Sequence, residues 1–373
     1  MDQREEMVLM WLSGKYTAAE VAERFETSRT TLYDWTGRYR ANGRGGLEDR
    51  PPIAKTCPHH TSANLEDMII EARQRYGWGP KKLRVKLVAA HPNLVWPQPS
   101  TIGDILKRNS LIADRRRRRK TSTPFRRKYQ PTAAGELTTV DFKGQFKTLD
   151  GIYCYPLTMM DLTSRFLLAC RALRSTAFEG VWPIFRQVFR EYGMPWAVQS
   201  DNGVPFVNSN ALARISRLSV KLMKLGIQPV INDPGHPEQN GAHERMHATL
   251  AAATTRPPAR NQREQQKSFD GFQSLYNDER PHEALGQAVP SSKFSGSSRP
   301  FPEKEPKLEY PSHLEIRLVS GSGRIKFNNR SFFLSDALNG ERVGLEAVDE
   351  GVWSVQFGQF EIARLDERSG EIV

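Results

Sequence analysis

The sequence predicts a multidomain protein: an all-α front part, an α/β core with a mixed sheet, and a small C-terminal β-barrel. Three observations predict this fold class. Apolar residues recur at helical spacing over residues 4–40 and 62–110. Strand-like and helix-like runs follow one another over residues 137–279, a pattern typical of α/β proteins. Short β-like runs separated by Gly and Asn turns fill residues 311–373.

Length and composition exclude several classes of protein. The 373 residues suit two to four compact domains. No apolar run of about 18 residues occurs, so we expect no membrane span. The first residues lack the apolar stretch of a signal peptide, and we expect a cytoplasmic protein. The three scattered cysteines form no C-x-x-C pair, which argues against a disulfide framework and against a zinc site at Cys57-Pro58-His59-His60.

The positive charge is confined to the first third of the chain. The net charge is +12, and residues 1–130 hold 26 Lys and Arg against 14 Asp and Glu. The remaining residues hold 28 of each kind. A basic segment joined to a neutral body predicts an arm that binds a polyanion such as double-stranded DNA. The alternative is a solvated basic tail, which the organised helices of this segment disfavour.

Residues 1–50 predict three short helices. Thr17 and Glu20 form a capping box at the start of the second helix. The phrase TAAEVAERFETSRTTLYDW resembles the helix-turn-helix of bacterial transposases and repressors, with Leu32 and Trp35 packed inward. A generic three-helix bundle is the alternative. In the helix-turn-helix interpretation, three residues face the major groove or the phosphates: Arg29, Thr30 and Tyr33.

A linker over residues 51–61 leads to a second helical unit over residues 62–112, which is similar to another helix-turn-helix. Pro80 suits the first turn of a helix that carries the charges of Lys81 and Lys82, and these two residues are expected to contact DNA. Residues 113–133 then form a basic linker whose charges repel one another when free and release counterions on DNA. Its densest run is expected to contact phosphates: Arg115, Arg116, Arg117, Arg118, Arg119 and Lys120.

Three acids stand out in the core, residues 134–285. Asp141 lies within a β-like run where acids are disfavoured, Asp201 directly follows a short apolar strand, and Glu244 lies on a helix after a Pro-rich loop. Transfer of a phosphodiester needs charge neutralisation, which two divalent ions about 3.5–4 Å apart supply. Mg²⁺ prefers oxygen ligands, so three carboxylates are a sufficient first shell.

The residues around these acids resemble a known superfamily. In chain order the phrases are TVDFKG, QSDNGVPF and PGHPEQNGAHERMHATL, and they resemble the three signatures of DDE transposases and retroviral integrases. The phrases YNDERPHEALG and WGPKKL are similar to the single-reading-frame transposases of bacterial insertion sequences. The resemblance covers nearly the whole chain. It implies a ribonuclease-H-like core with Asp141, Asp201 and Glu244 as catalytic acids that bind two Mg²⁺ or Mn²⁺ ions.

Two departures from the superfamily pattern bear on the third acid and the front end. Glu244 lies 43 residues after Asp201, a longer gap than is typical, and Glu238 is nearer the usual spacing. We prefer Glu244 because the motif places the acid after N-G-x-x. The zinc-binding front end of retroviral integrases is absent, and the helical units stand in its place.

Several further residues of the core have open or structural roles. Asn202 and Asn240 are expected to support the acids. Asn240 either orients DNA or metal-bound water or caps the helix that carries Glu244. A zinc site at His236, His243 and His247 is disfavoured because no acid-histidine metalloprotease signature is present. Asp161 at a strand end is interpreted as structural.

These observations together predict a bacterial, nucleoid-associated DNA transposase. The resemblance implies that it nicks DNA and joins the freed 3′-hydroxyls to a target, and we expect it to bind the terminal inverted repeats of an insertion sequence as at least a dimer. A catalytically inactive DNA-binding protein or repressor is the main alternative, and a ribonuclease-H-type nuclease is another. Residues 286–310 are a linker to the β-barrel over residues 311–373.

Overall fold

The computed structural model forms two compact units, Met1–Ser62 and Ala63–Val373. The basic run from Arg115 to Lys120 and most of the Cys57–His60 cluster lie outside the residues that the structure describes. The structure describes residues 2–49, 60–112, 129–208, 215–233, 236–369 and 371–372.

The first unit is a three-helix bundle. Its helices are α1 (Asp2–Leu12), α2 (Ala18–Arg24) and α3 (Arg29–Asn42), followed by a 3₁₀ turn at Gly43–Leu47. The predicted capping box is confirmed, because the Thr17 N–H donates to Glu20 Oε2 at 2.7 Å and the Thr17 hydroxyl caps the Glu20 N–H. Leu32 is fully buried, as predicted.

Trp35 completes the core of this bundle as a partly buried residue. Its ring lies under two guanidinium groups, those of Arg4 at 4.3 Å and Arg38 at 4.0 Å. The cationic groups thus cover the aromatic face that the small bundle leaves open.

The second unit begins with three more helices, α4 (Ala63–Tyr76), α5 (Pro80–Ala90) and α6 (Pro99–Arg108). Pro80 occupies the first turn of α5, as predicted. Ile69, Trp78, Leu83, Ile102 and Ile105 are among the buried side chains of this segment's own core.

The mixed sheet of the core has five main strands in the order β4-β3-β1-β5-β6, with β2 paired to the start of β3. Strands β3 and β4 are antiparallel to their neighbours, whereas β1, β5 and β6 are parallel. Their bounds are β1 Leu137–Phe142, β2 Phe146–Lys147, β3 Tyr153–Asp161, β4 Leu167–Leu173, β5 Ala197–Ser200 and β6 Gln228–Ile231.

Helices cover both faces of this sheet. On one face α7 (Phe178–Tyr192) and α8 (Arg217–Lys224) contribute to a core with Val140, Leu157 and Val198. On the other face α9 (Gly241–Thr254) and α10 (Gln262–Ser274) pack on Met160, Leu167 and Cys170. The α/β class predicted for this region is confirmed.

Two elements of the core differ from the sequence prediction. The sequence predicts no strand at residues 228–231, where β6 pairs with β5 in parallel. Pro229 cannot donate to a sheet ladder, and β6 is accordingly an edge strand. The sequence also predicts a helix over about residues 212–225, whereas α8 begins at Arg217 in the structure, and residues 209–214 lie outside the described part.

The C-terminal region is a small β domain, and every β-like run predicted there is a strand. A five-stranded antiparallel sheet has the order β13-β12-β11-β10-β7, and β8 and β9 form a hairpin. Closure of this sheet into a barrel stays a prediction. The bounds are β7 Glu315–Leu318, β8 Arg324–Phe327, β9 Arg330–Phe333, β10 Arg342–Asp349, β11 Val352–Phe357, β12 Phe360–Asp366 and β13 Glu371–Ile372.

No helix in the described part of the chain combines the length and the apolar character that crossing a bilayer requires.

Candidate active site

The register of two parallel strands places Asp141 and Asp201 side by side. Val140 of β1 pairs with Ser200 of β5, so each acid is one residue beyond this pair. Neighbouring strands lie about 4.8 Å apart, so the two carboxylates share one end of the sheet. The two acids, which are far apart in the sequence, are therefore neighbours in the structure.

Asp141 lies in a polar but largely dry environment. Its side chain is only 14% exposed, and its Oδ2 atom accepts a 2.6 Å hydrogen bond from the Asn240 side-chain amide. Burial first, then the nearby charge of Asp201 and to a smaller extent that of Glu244, raise the pKa of Asp141 to about 7. The Asn240 amide and the Phe142 backbone oppose this rise. The site therefore holds its first acid only at an electrostatic cost.

Asp201 is held by the tight turn that follows it. The Gly203 N–H donates to Asp201 Oδ1 at 3.1 Å. A Cβ atom at residue 203 would lie only 3.1 Å from Asp201 Oδ2, so glycine lets the backbone approach the carboxylate this closely. The exposed Asn202 donates from Nδ2 to the Asn232 carbonyl at 2.9 Å, which ties the turn to the end of β6.

Glu244 reaches the same region from the first turn of α9. Asn240 is the N-cap residue of that helix, but its side chain makes no capping bond and points at Asp141 instead. Residues four apart share a helix face, so the Asn240 contact places the exposed Glu244 on the face toward the two aspartates. Glu244 is close enough to raise the pKa of Asp141.

A buried amide network fixes the start of α9 against the sheet. The Gln199 side chain on β5 donates to Asn232 Oδ1 at 2.6 Å and to the Gln239 carbonyl at 3.1 Å. Gln239 in turn exchanges hydrogen bonds of 2.9 Å with Asp233. Satisfied buried networks of this kind are rigid.

The two histidines beside the acids, His243 and His247, are hydrogen-bonded to threonine hydroxyls. His243 is buried, with Nδ1 2.9 Å from Thr139 Oγ1 and Nε2 2.6 Å from Thr158 Oγ1. His247 Nε2 lies 2.7 Å from the same Thr158 oxygen. Burial holds the pKa of His243 well below its ordinary value and lowers that of His247 to about 4. Both rings are therefore neutral at pH 7 and serve the packing of α9 on β1 and β3.

The donor set at this site suits a hard divalent cation. Its candidate ligands are carboxylate oxygens, and their mutual repulsion would be relieved by positive charge. Within the described residues, no group of three or more His, Cys, Asp or Glu side chains is arranged closely enough to hold a metal ion. The side chain of the rival acid Glu238 lies outside the described part of the chain.

Asp161 has contacts that account for a structural role. It is fully buried, with Oδ2 accepting from the Ser164 N–H at 2.7 Å and the Ser164 hydroxyl at 2.5 Å. Its Oδ1 accepts from the Gly135 N–H at 2.9 Å.

The residues predicted to contact DNA lie in two places. Arg29, Thr30 and Tyr33 are exposed on α3, and Tyr33 keeps 52% of its surface open. Lys81 and Lys82 instead lie on α5 within the second unit, where Lys81 pairs with Glu283 at 3.0 Å and Lys82 is half-buried.

Thr158 and Gln199 are site residues that the sequence motifs do not single out. Both lie inside apolar strands, Thr158 on β3 and Gln199 on β5. A buried polar residue in a strand next to a catalytic candidate is a signal that could have found them, because such groups need partners.

Family models match most of the chain. Two models described as an integrase core domain match residues 131–237 and 225–290. A helix-turn-helix domain model matches residues 3–54, and a homeodomain-like domain model matches residues 31–106. A model described as the C-terminal domain of the IS481 family transposase matches residues 314–372.

Individual relatives are distant. The chain is 26% identical over 189 residues to the Gag-Pol polyprotein of baboon endogenous virus (strain M7), which covers 49% of the chain and about a tenth of the relative's length (10%). The magnesium complex of the HTLV-2 integrase catalytic core, in its trimeric form, is 11% identical with a TM-score of 0.35, covering 44% of this chain and 100% of that one. An intasome structure of simian T-cell lymphotropic virus is 12% identical with a TM-score of 0.39, and the match covers 78% of this chain and 97% of that one.

Proposed function

Because the chain belongs to the DDE transposase and integrase superfamily and carries the C-terminal domain of IS481 family transposases, we propose that it is a DNA transposase. It binds the terminal inverted repeats of an insertion sequence and catalyses metal-dependent strand cleavage and strand transfer. The reaction class is polynucleotidyl transfer, with Asp141, Asp201 and Glu244 as the catalytic acids.

One observation carries this proposal. Asp141 and Asp201 are adjacent at the ends of parallel strands, and the Asn240 contact brings the helix of Glu244 to the same place. An isolated trio of acids would be repelled apart, whereas this fold holds one of them buried at a raised pKa. Such an arrangement favours a cation site over a purely structural cluster.

The three acids would hold two Mg²⁺ or Mn²⁺ ions, which supply charge neutralisation for the attacking and leaving oxygens of a phosphodiester. Asn240 fixes the orientation of the Asp141 carboxylate, and the Gly203 N–H does the same for Asp201. Glu244, which is exposed on α9, would supply the third carboxylate. The neutral His247 ring, with Nδ1 3.9 Å from Asp141 Oδ2, adds no competing positive charge at pH 7.

The exposed residues of the front helices support DNA as the binding partner. The exposed Arg29, Thr30 and Tyr33 occupy the N-terminal half of α3, the position from which a recognition helix contacts base edges. Two element ends are processed together in strand transfer, so we propose at least a dimer on DNA. In this account the protein acts at the bacterial nucleoid, and the basic run from Arg115 to Lys120 adds phosphate contacts.

The test is a DNA-joining assay with the full-length protein. Purified protein is mixed with a labelled duplex carrying the inverted repeats that flank its gene, with Mg²⁺ or with EDTA. We expect nicked and joined products that disappear with EDTA and with Asp141→Asn. Sequence-specific binding without product under Mg²⁺ or Mn²⁺ would instead establish an inactive DNA-binding protein. Products that survive Asp141→Asn would refute the assigned mechanism.

A further inference from the structure

A basic cleft lies beside the acids, on another side of α9. Its volume is about 540 Å³, and α5, α9 and the segment after α10 line it. Five basic side chains face this space, and the cleft is defined here by them: Lys82, Arg165, Arg245, Arg280 and His282. Arg245 directly follows Glu244 in the chain, so the cleft and the third acid share one helix.

Two sequence phrases that the catalytic acids leave unexplained meet at this cleft. WGPKKL supplies Lys82, and YNDERPHEALG supplies Arg280 and His282. Ion pairs join the two segments, Lys81 to Glu283 at 3.0 Å and Lys86 to Glu279 at 2.8 Å. The Arg280 guanidinium also lies 5.8 Å from the centre of the Trp78 ring. The cleft is thus assembled from parts of the chain about 200 residues apart in sequence.

The basic groups are held together at an electrostatic cost. Burial, with Arg280 nearby, lowers the pKa of Lys82 to about 8, and Glu283 only partly offsets this. Burial also lowers the pKa of Arg165 and of Arg280 below their ordinary range. The pKa of His282 falls to about 4, because of burial first and then Lys82 and Arg280. A bound anion would relieve every one of these penalties.

Two buried polar atoms at the cleft have no hydrogen-bond partner among the described residues. They are Arg165 Nη1 and His282 Nε2. Buried polar atoms are nearly always satisfied, so the orphaned Arg165 guanidinium N–H indicates a missing acceptor, and the orphaned His282 ring nitrogen indicates a second missing polar partner beside it. Arg165 also has a φ of 63°, a left-handed conformation that a non-glycine residue adopts rarely.

We propose that this basic cleft binds a phosphate group of the DNA strand on which the acids act. The proposal rests on the proposed transposase function, which it deepens by assigning a second DNA contact beside the active site. The cleft is far larger than one phosphate and falls in the range of about 300–1,000 Å³ typical of small-molecule sites. A nucleotide unit of a strand passing along α9 fits this size and charge, and so does a free phosphate compound.

The salt dependence of DNA binding tests the contact. Binding of a labelled random-sequence duplex by the full-length protein is measured by fluorescence anisotropy across a KCl series. Each lost phosphate contact lowers the slope of log affinity against log salt by about 1. We expect this decrease for Lys82→Gln and for Arg280→Gln. Arg186→Gln, which removes one exposed charge from α7 of the same unit, is the matched control and should leave the slope unchanged.

Protection of Lys82 from acetylation separates a direct contact from a folding effect. Modification of wild-type protein is quantified by mass spectrometry with the duplex, with inorganic phosphate, or with KCl at equal ionic strength. We expect the duplex to protect Lys82 at least about threefold, a smaller effect of inorganic phosphate, and no effect on the exposed Lys267 of α10. Arg280→Gln is expected to abolish this protection even if its thermal stability changes.

The outcomes distinguish this proposal from the wider function. If the wild type joins DNA but neither the slope nor Lys82 protection changes, the cleft assignment is wrong and the transposase proposal stands. If inorganic phosphate protects Lys82 while the protein binds no duplex, both the DNA assignment and the proposed function are overturned. Weaker binding with an unchanged slope would identify Arg280 as a packing residue and overturn the proposal.

Discussion

Asp141→Asn is expected to stabilise the metal-free protein while it abolishes catalysis. Ionised Asp141 is unfavourable in the folded state because it is buried and lies near Asp201 and Glu244. Its pKa of about 7, against an ordinary 3.8, corresponds to about 4 kcal/mol at about 1.4 kcal/mol per pH unit. Relaxation and water entry reduce this penalty, so we expect about 2–4 kcal/mol at pH 8.

The sign of the effect follows from the direction of the pKa change. Because the folded-state pKa is raised, the wild type has its full stability from this group below pH 3.8 and loses it as pH rises toward 7. Asn cannot ionise and still accepts a hydrogen bond from Asn240. The stabilisation of the variant is therefore small at pH 5 and largest above pH 7.

Urea unfolding followed by tryptophan fluorescence measures this difference. Wild type and Asp141→Asn are compared at pH 5 and pH 8 in EDTA, and again at pH 8 with Mg²⁺. We expect Mg²⁺ to stabilise the wild type and to narrow the gap, since a cation offsets the carboxylate repulsion. A variant that is no more stable than the wild type at pH 8 in EDTA would refute the electrostatic account.

Three further predictions concern the groups that position the site and the front bundle. Asn240→Leu removes the amide donor that lowers the pKa of Asp141. We therefore expect DNA joining to fall about 10- to 100-fold and the acid limb of the pH–rate profile to shift to higher pH. An acid limb at the same pH as in the wild type would contradict this role. Gly203→Ala places a Cβ atom 3.1 Å from Asp201 Oδ2 and is expected to cut joining about 10- to 100-fold, whereas Gly271→Ala on α10, where no atom lies within 4 Å, is the control with unchanged joining. Thr17→Ala breaks the capping box and should lower the unfolding free energy of the first unit by about 1 kcal/mol, seen as faster amide exchange in α2; unchanged exchange would contradict it.

Local sequence signals predicted the parts of the fold that local physics determines. Three predictions of this kind were confirmed, namely the Thr17–Glu20 capping box, Pro80 at the start of α5 and the series of short strands in the C-terminal region. Such features depend on backbone hydrogen bonds within a few residues. The sequence also indicated the acids at the strand ends as candidate site residues, since an acid such as Asp141 is unusual within a β-like run.

Features that depend on tertiary pairing were not predicted. Strand β6 is short and contains Pro229, so it lacks the propensity of a central strand and is held by pairing with β5. The hydroxyl of Thr158 bonds two histidines that follow it by more than 80 residues. The sequence predicts that Lys82 contacts DNA but gives no sign of its surroundings, because contacts between segments about 200 residues apart place it in the basic cleft.

Manganese binding tests most directly whether Asp141, Asp201 and Glu244 form one cation site. Electron paramagnetic resonance measures free Mn²⁺ as it is titrated into full-length wild type, Glu244→Gln and Glu238→Gln. We predict that Glu244→Gln weakens Mn²⁺ binding at least about tenfold, whereas Glu238→Gln binds as the wild type does. Unchanged binding by Glu244→Gln, or a loss confined to Glu238→Gln, would contradict the assignment of the third acid and the site built on it.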